Sequence, residues 1–208
     1  FPNVSICYPT HPVLRYFPKL WERYGIPYEL DKSGADIYHG LGNELPVNIR
    51  KAKHVSSLVT IHDLIFLFFP YTYSWLDRHL YNIKFRSACK RADRIIAVSE
   101  CTARDIVKYY FIPKNKISVA YQGCDPRFRR VCTAGEKEEV AGRLGLPRKY
   151  MLSVGTVEER KNTALIVRAM RMVPDIDLVI VGKRTGYADV VERTAVECGV
   201  ADRLHMLS

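Results

Sequence analysis

No two of the six cysteines (Cys7, Cys89, Cys101, Cys124, Cys132, Cys198) form a C-x-x-C pair, and none shows zinc-type spacing, which removes the usual sequence grounds for a structural metal. A chain of 208 residues is also too large to need disulfide staples, so the thiols read as reduced, in a cytosolic protein. No G-x-G-x-x-G opens a helix, which argues against a dinucleotide-dependent dehydrogenase. There is no RNP-like aromatic motif, zinc-finger spacing or arginine-rich tail, which argues against nucleic acid as a partner. Long apolar runs are missing: the stretch 64–71 is far too short to span a bilayer. The opening FPNVSICYPTHPV lacks the charged and continuous apolar regions of a signal peptide. With Phe1 in first position rather than methionine, the expectation is a fragment whose start has been removed.

What is present is an ordinary globular composition, 48% hydrophobic and 26% charged, able to bury a core. The net charge of +10 is uneven. Residues 1–130 hold 20 Lys and Arg against 11 Asp and Glu, whereas residues 131–208 hold 12 against 11. A basic first half suits phosphorylated small molecules, anionic lipid or nucleic acid, and charge alone does not choose among them.

Short β-branched runs alternate with helical segments, the mark of βαβ units and a parallel sheet. ADIYHG (35–40), SSLVTIHD (56–63), RIIAVSE (94–100), KISVAYQG (116–123), YMLSVGT (150–156) and DLVIVGK (177–183) read as strands. Each ends in Gly, Ser, His, Asp, Glu, Thr or Lys, at the strand ends where open α/β sheets present ligand-binding groups. Between them, 75–92 reads as a basic amphipathic helix, 102–110 as a helix capped by Ser99, and 162–172 as a helix opened by a polar turn. The alternation breaks over 122–147, where a turn-rich stretch precedes a short surface helix. That break divides the chain into a first domain over 1–130, a linker and surface helix over 131–147, and a second domain over 148–208.

The most informative stretch is YMLSVGTVEERKNTALIVRAM, where a strand runs into Gly155, then Arg160 and Lys161, then a helix. Gly155 permits close backbone approach, the helix start offers free N–H groups, and the two cations add fixed positive charge. Together they suit a diphosphate. The alternative is two solvated basic residues paired with Glu158 and Glu159. His62 ends a strand, where it can donate a hydrogen bond to a sugar hydroxyl, or else stand as a satisfied structural histidine beside Asp63. His39, in YHGLGN, has the same two readings. Ser99, followed by Glu100, is explained as an N-cap, and Gly123 as supplying a turn conformation closed to other residues. With Gly182 and Lys183 at the end of the sixth strand, these complete the candidate cleft-lining residues. The aromatic run over 64–75 beside Arg78, Lys84, Arg86, Lys90 and Arg91 suits a membrane interface, or else packs beneath a loop with a solvated helix face.

Taken in order, VTIHDLIFLFFP, RSACKRADRIIAVSECTARDI, KISVAYQGCDPRF, YMLSVGTVEERKN and DLVIVGK resemble the successive blocks of the family 4 (group 1) glycosyltransferases, especially mannosyl- and rhamnosyl-type members, across most of 35–183. The resemblance implies an α/β chain of GT-B architecture: two Rossmann-like domains with parallel sheets, both incomplete here, facing across a cleft, acceptor side first. It implies a retaining hexosyltransferase of polysaccharide pathways, with a nucleotide-sugar donor, a glycan or lipid-linked acceptor, no metal and no cofactor. On this resemblance Arg160 and Lys161 hold the donor diphosphate, Gly155 lies next to the phosphates, and His62 is the active-site histidine beside the transferred sugar. Two positions depart from the pattern: Gln122 stands where the family has asparagine and Cys124 where it has valine. The family's glycine-rich acceptor loop is expected before Phe1 and its E-x7-E motif after Ser208, so the chain alone is expected to be inactive. Peripheral contact with an anionic inner-membrane surface fits a lipid-linked acceptor. The rival readings are a non-catalytic nucleotide- or polyanion-binding module and another GT-B enzyme, such as a nucleotide-sugar epimerase.

Overall fold

A computed structural model describes residues 3–207 and divides into two compact units, Phe1–Gly123 and Cys124–Ser208. The division falls between Gly123 and Cys124, inside the turn-rich stretch but ahead of the boundary expected after residue 130, so residues 124–130 and the surface helix go with the second unit.

In the first unit a short helix α1 (Pro18–Leu20) passes through a π turn (Trp21–Gly25) into α2 (Ile26–Ser33), which Gly34 ends in the left-handed conformation, φ 65°. Strands β1 (Ile37–Gly40), β2 (Ser56–Ile61), β3 (Arg94–Ala97) and β4 (Ile117–Val119) then form one parallel sheet in the order β1-β2-β3-β4. The β-branched residues that favour strand geometry also fill the core: Val59, Ile61 and Ile95 are fully buried, each burial stabilising the fold by about 2 kcal/mol. The crossovers are α3 (Ile65–Phe68) and α4 (Trp75–Arg91) after β2, and α5 (Glu100–Tyr110) after β3.

Helix α4 starts where Ser74 Oγ accepts the Asp77 N–H at 3.0 Å, and it buries Phe85, Ala88 and Cys89 on one face. Its C-terminal carbonyls are bound by cations from elsewhere in the unit. Lys116 Nζ donates to the carbonyls of Cys89 (2.9 Å) and Lys90 (3.1 Å), and Arg50 donates to Lys90 O at 3.2 Å. These bonds satisfy orphan acceptors and oppose the negative end of the helix dipole. Burial pushes the Cys89 thiol up to about 12, so it packs as an inert protonated group.

This packing corrects the aromatic and basic surface expected over 64–91. Leu64 and Phe66 are core residues, Phe66 meeting Phe85 edge-on at 5.4 Å. Lys84 pairs with Glu44 at 2.9 Å, and Arg91 donates to Ser87 Oγ and to Leu45 O (3.0 Å). Phe68, Tyr71, Trp75, Leu76, Arg86 and Lys90 do stay exposed. Among the described residues no helix is long and apolar enough to cross a membrane.

The second unit opens with α6 (Ala134–Leu144), held by a reciprocal Thr133–Glu136 capping box and closed by Gly145 at φ 60°. None of its residues is buried, as expected of a surface helix. Strands β5 (Tyr150–Val154), β6 (Asp177–Val181) and β7 (Leu204–Leu207) form a parallel sheet in that order. Between them lie α7 (Thr163–Ala169) and α8 (Tyr187–Glu197). Val157, Val167, Met170, Leu178, Ile180, Ala188, Val191 and Ala195 make the core. The turn before β7 is fixed by Arg203, whose guanidinium donates to four carbonyls, of Met170, Val173, Pro174 and Ile176, at 3.0 to 3.1 Å. Strand β7 and helix α8 are absent from the sequence reading. LHML has no alternation, and its pairing with β6 rather than its own residues makes it a strand.

Candidate functional site

In the first unit the ligand-side candidates gather at the carboxyl ends of β1, β2, β3 and β4. His62, one residue past β2, is half-buried and bonded through four of its atoms. Its backbone N–H donates to Asn43 Oδ1 at 2.7 Å, and its carbonyl accepts from Thr102 Oγ1 at 3.1 Å. The ring Nε2 lies 2.8 Å from Leu41 O, and Nδ1 lies 3.2 Å from Gln122 Nε2. A carbonyl only accepts, so Nε2 carries the proton; an amide nitrogen only donates, so Nδ1 offers its lone pair. With these two partners the Nε2 N–H is already used. Of the two readings of His62, the donor to a ligand is not the one seen: all four polar atoms are bonded within the first unit, as in a satisfied structural histidine, and a ligand could reach the ring only as a donor to Nδ1 in place of Gln122.

Sequence reasoning gave the residues that hold His62 no role toward it. Asn43 sits in the left-handed region, φ 65°, a conformation asparagine tolerates, and its N–H donates to Thr60 O at 3.2 Å. The preceding turn is tight as well: a Cβ on Gly40 would overlap the Glu44 carbonyl oxygen. The Gly-Leu-Gly-Asn run carried the signal as a turn sequence, but not the identity of the strand it clasps. His39 is exposed, binds Thr60 Oγ1 at 2.8 Å, and lines a cavity of about 780 Å³ with Arg23, Glu44, Lys84 and Arg91.

Ser99 caps α5 as expected, its Oγ accepting the Thr102 N–H at 3.1 Å, and Glu100 is exposed in the first turn. Gly123 does not bear out its expected role. Its φ is not positive and a Cβ there would meet nothing within 4 Å, so the position is open to other residues.

In the second unit β5 runs into Gly155 at φ 137°, followed by a turn (Glu159–Lys161), then Asn162 at φ 49° and α7. Lys161 folds back so that its ammonium lies over the Gly155 backbone, where any Cβ would overlap it. Arg160 turns elsewhere, its Nη2 2.5 Å from Glu158 Oε1. The two adjacent cations therefore have different partners, and only Lys161 is poised at the glycine. Gly182, after β6, is packed against Gly155: its Cβ would strike the Gly155 carbonyl oxygen, a backbone atom that cannot swing aside. The Gly155 N–H donates to Val181 O at 2.8 Å and Gly182 N–H to Leu207 O at 3.0 Å, so the glycine pair joins all three strands. Lys183 is exposed next to it, its carbonyl accepting the Val157 N–H at 2.9 Å. Among the described residues no His, Cys, Asp and Glu group is arranged to hold a metal ion.

Two parallel α/β units with ligand-type residues at their carboxyl strand ends define a GT-B architecture, and solved glycosyltransferases share it. A glycosyltransferase from Rickettsia africae aligns with TM-score 0.64 and 15% identity over 98% of this chain and 54% of its own. Anabaena Alr3699/HepE, solved with UDP, aligns with TM-score 0.66 and 14% identity over 96% and 54%. The sequence profile of Glycosyltransferase Family 4 matches residues 3–128, and the chain belongs to that family. Among curated relatives, the D-inositol 3-phosphate glycosyltransferase of Mycolicibacterium smegmatis is 29% identical over 122 residues, 56% of this chain and 27% of the relative. The O-antigen chain mannosyltransferase RfbU of Salmonella typhimurium is 25% identical over 150 residues, 72% and 38% respectively. The chain thus spans about half of the solved structures and less than two-fifths of these curated relatives.

Proposed function

We propose that the protein transfers a hexosyl residue, mannose-like or another hexose, from a nucleoside-diphosphate sugar to a glycan or lipid-linked acceptor of polysaccharide biosynthesis, with retention and without a metal or other cofactor. The observation that carries this reading is the Lys161 ammonium lying over Gly155 at the carboxyl end of β5. A leaving nucleoside diphosphate gains negative charge as the glycosidic bond breaks, and a cation lying over a glycine stabilises that charge. In a front-face displacement the departing phosphate takes the acceptor proton, so no protein nucleophile is needed. In support, Alr3699/HepE is solved with UDP and with UDP-glucose, and RfbU is named a mannosyltransferase. On the acceptor side, the cavity beside His39 brings Arg23, Lys84 and Arg91 against Glu44, a positive balance suited to an acceptor bearing phosphate.

Titration calorimetry with UDP and GDP tests the donor half. Lys161→Ala weakens nucleoside-diphosphate binding about ten-fold, equivalent to about 1.4 kcal/mol. Unchanged affinity for both nucleotides removes the reading.

A further inference from the structure

Beyond donor binding, the contacts of His62 assign work to Gln122, which meets the second nitrogen of its ring. The ring is fixed on one side by a backbone acceptor, Leu41 O, which cannot be exchanged without moving the loop. On the other side its partner is the tip of an exposed side chain, Gln122, 60 residues further along the chain. These two contacts differ in kind. The first sets which nitrogen carries the proton; the second can be given up at little cost, because the Gln122 amide is rehydrated when it leaves.

We propose that Gln122 is a stand-in donor at His62: its carboxamide N–H occupies the acceptor at ring Nδ1, and a hydroxyl of the sugar substrate takes the amide's place on binding. Nδ1 has one in-plane lone pair, so it serves one donor at a time. The amide and the hydroxyl present the same donor chemistry, and exchanging them leaves the ring's proton on Nε2 and its bond to Leu41 unchanged. A residue with only acceptor atoms at position 122 would instead draw a proton onto Nδ1, making the ring a donor on both sides and holding Nδ1 in a charged pair that a neutral hydroxyl displaces poorly. The proposal rests on the transferase reading for the identity of the ligand, but not for the state of the ring.

The experiment is nitrogen-15 NMR of histidine-labelled protein at neutral pH, for wild type, Gln122→Leu and Gln122→Glu, with UDP-glucose and GDP-mannose as probes. In wild type and Gln122→Leu, His62 Nε2 resonates as protonated and Nδ1 as unprotonated; in Gln122→Glu, Nδ1 moves to the protonated position. Nucleotide-sugar affinity is kept or raised in Gln122→Leu and falls about ten-fold in Gln122→Glu, while UDP alone binds all three equally. A protonated Nδ1 in wild type, or a ring unchanged in Gln122→Glu, overturns the proposal. So does an equal loss of sugar affinity in both variants. If neither nucleotide sugar binds wild type, the transferase reading fails, and the role of Gln122 toward a sugar hydroxyl falls with it, whereas the ring resonances still decide whether the group at position 122 meets Nδ1 as a donor.

Discussion

Asn43 and His62 are joined by a bond that neither strand contributes alone: Asn43 Oδ1 accepts the His62 N–H at 2.7 Å while Asn43 itself hangs from Thr60 through its own N–H. The loop after β1 is thereby clamped to the end of β2, and Leu41 is brought to the His62 ring. Asn43→Ala removes the side-chain acceptor and places a residue at φ 65° that tolerates it less well. The expected cost is about 1–2 kcal/mol of first-unit stability, from the unpaired N–H and the strain. Asn43→Gly relieves the strain but not the lost bond, and recovers only part. Denaturant unfolding of the three proteins measures the order wild type, Gly, Ala.

The split between Arg160 and Lys161 makes their variants unequal. Lys161→Ala is expected to weaken UDP or GDP binding about ten-fold, whereas Arg160→Ala, which loses mainly its pair with Glu158, changes it by about three-fold or less. Gly155→Ala displaces the Lys161 ammonium and imposes strain at φ 137°, so its nucleotide affinity falls in the direction of Lys161→Ala. Equal losses for Arg160 and Lys161 in calorimetry would place both cations on the ligand.

Asp93 supplies a pH test of the first unit. Its Oδ2 accepts from the Ser57 Oγ–H and N–H, both at 2.7 Å, and these bonds hold the carboxyl below the usual aspartate range. A depressed folded-state value stabilises the fold above the unfolded value of about 3.9, and the benefit disappears as pH falls through the folded value. Asp93→Asn should therefore be less stable than wild type at neutral pH, by about 1 kcal/mol given the residue's exposure. The gap should narrow in acid. Thermal unfolding from neutral pH down to the onset of acid unfolding follows the difference; a gap independent of pH rejects the assignment.

A membrane contact now rests on fewer groups than the sequence suggested. Phe68, Tyr71, Trp75, Arg86 and Lys90 remain exposed, whereas Lys84 and Arg91 are held by protein acceptors. Anionic headgroups attract each free cation by about 1 kcal/mol. Neutralising Arg86 and Lys90 should abolish salt-sensitive co-sedimentation with phosphatidylserine vesicles, and neutralising Lys84 should matter much less. Absence of wild-type binding at low salt returns the helix to an ordinary solvated face.

The six strands from β1 to β6 were legible because β-branched runs bounded by turn residues occupy them, and Ser99 declared its cap by position alone. Strand β7 was not, since LHML gains its identity from pairing with Val179 and Ile180. The sequence by itself determined the alternating α/β pattern, the family and the set of candidate residues, because periodicity and short motifs are local properties of the chain. Only the tertiary structure decided their partners. It gave Lys161 to Gly155 and Arg160 to Glu158, returned Leu64 and Phe66 to the core, and spent the His62 ring N–H on Leu41, leaving an acceptor where a donor was expected. The His62 contacts depend on which strand ends meet across 19 to 60 residues of sequence, a distance over which spacing carries no directional information.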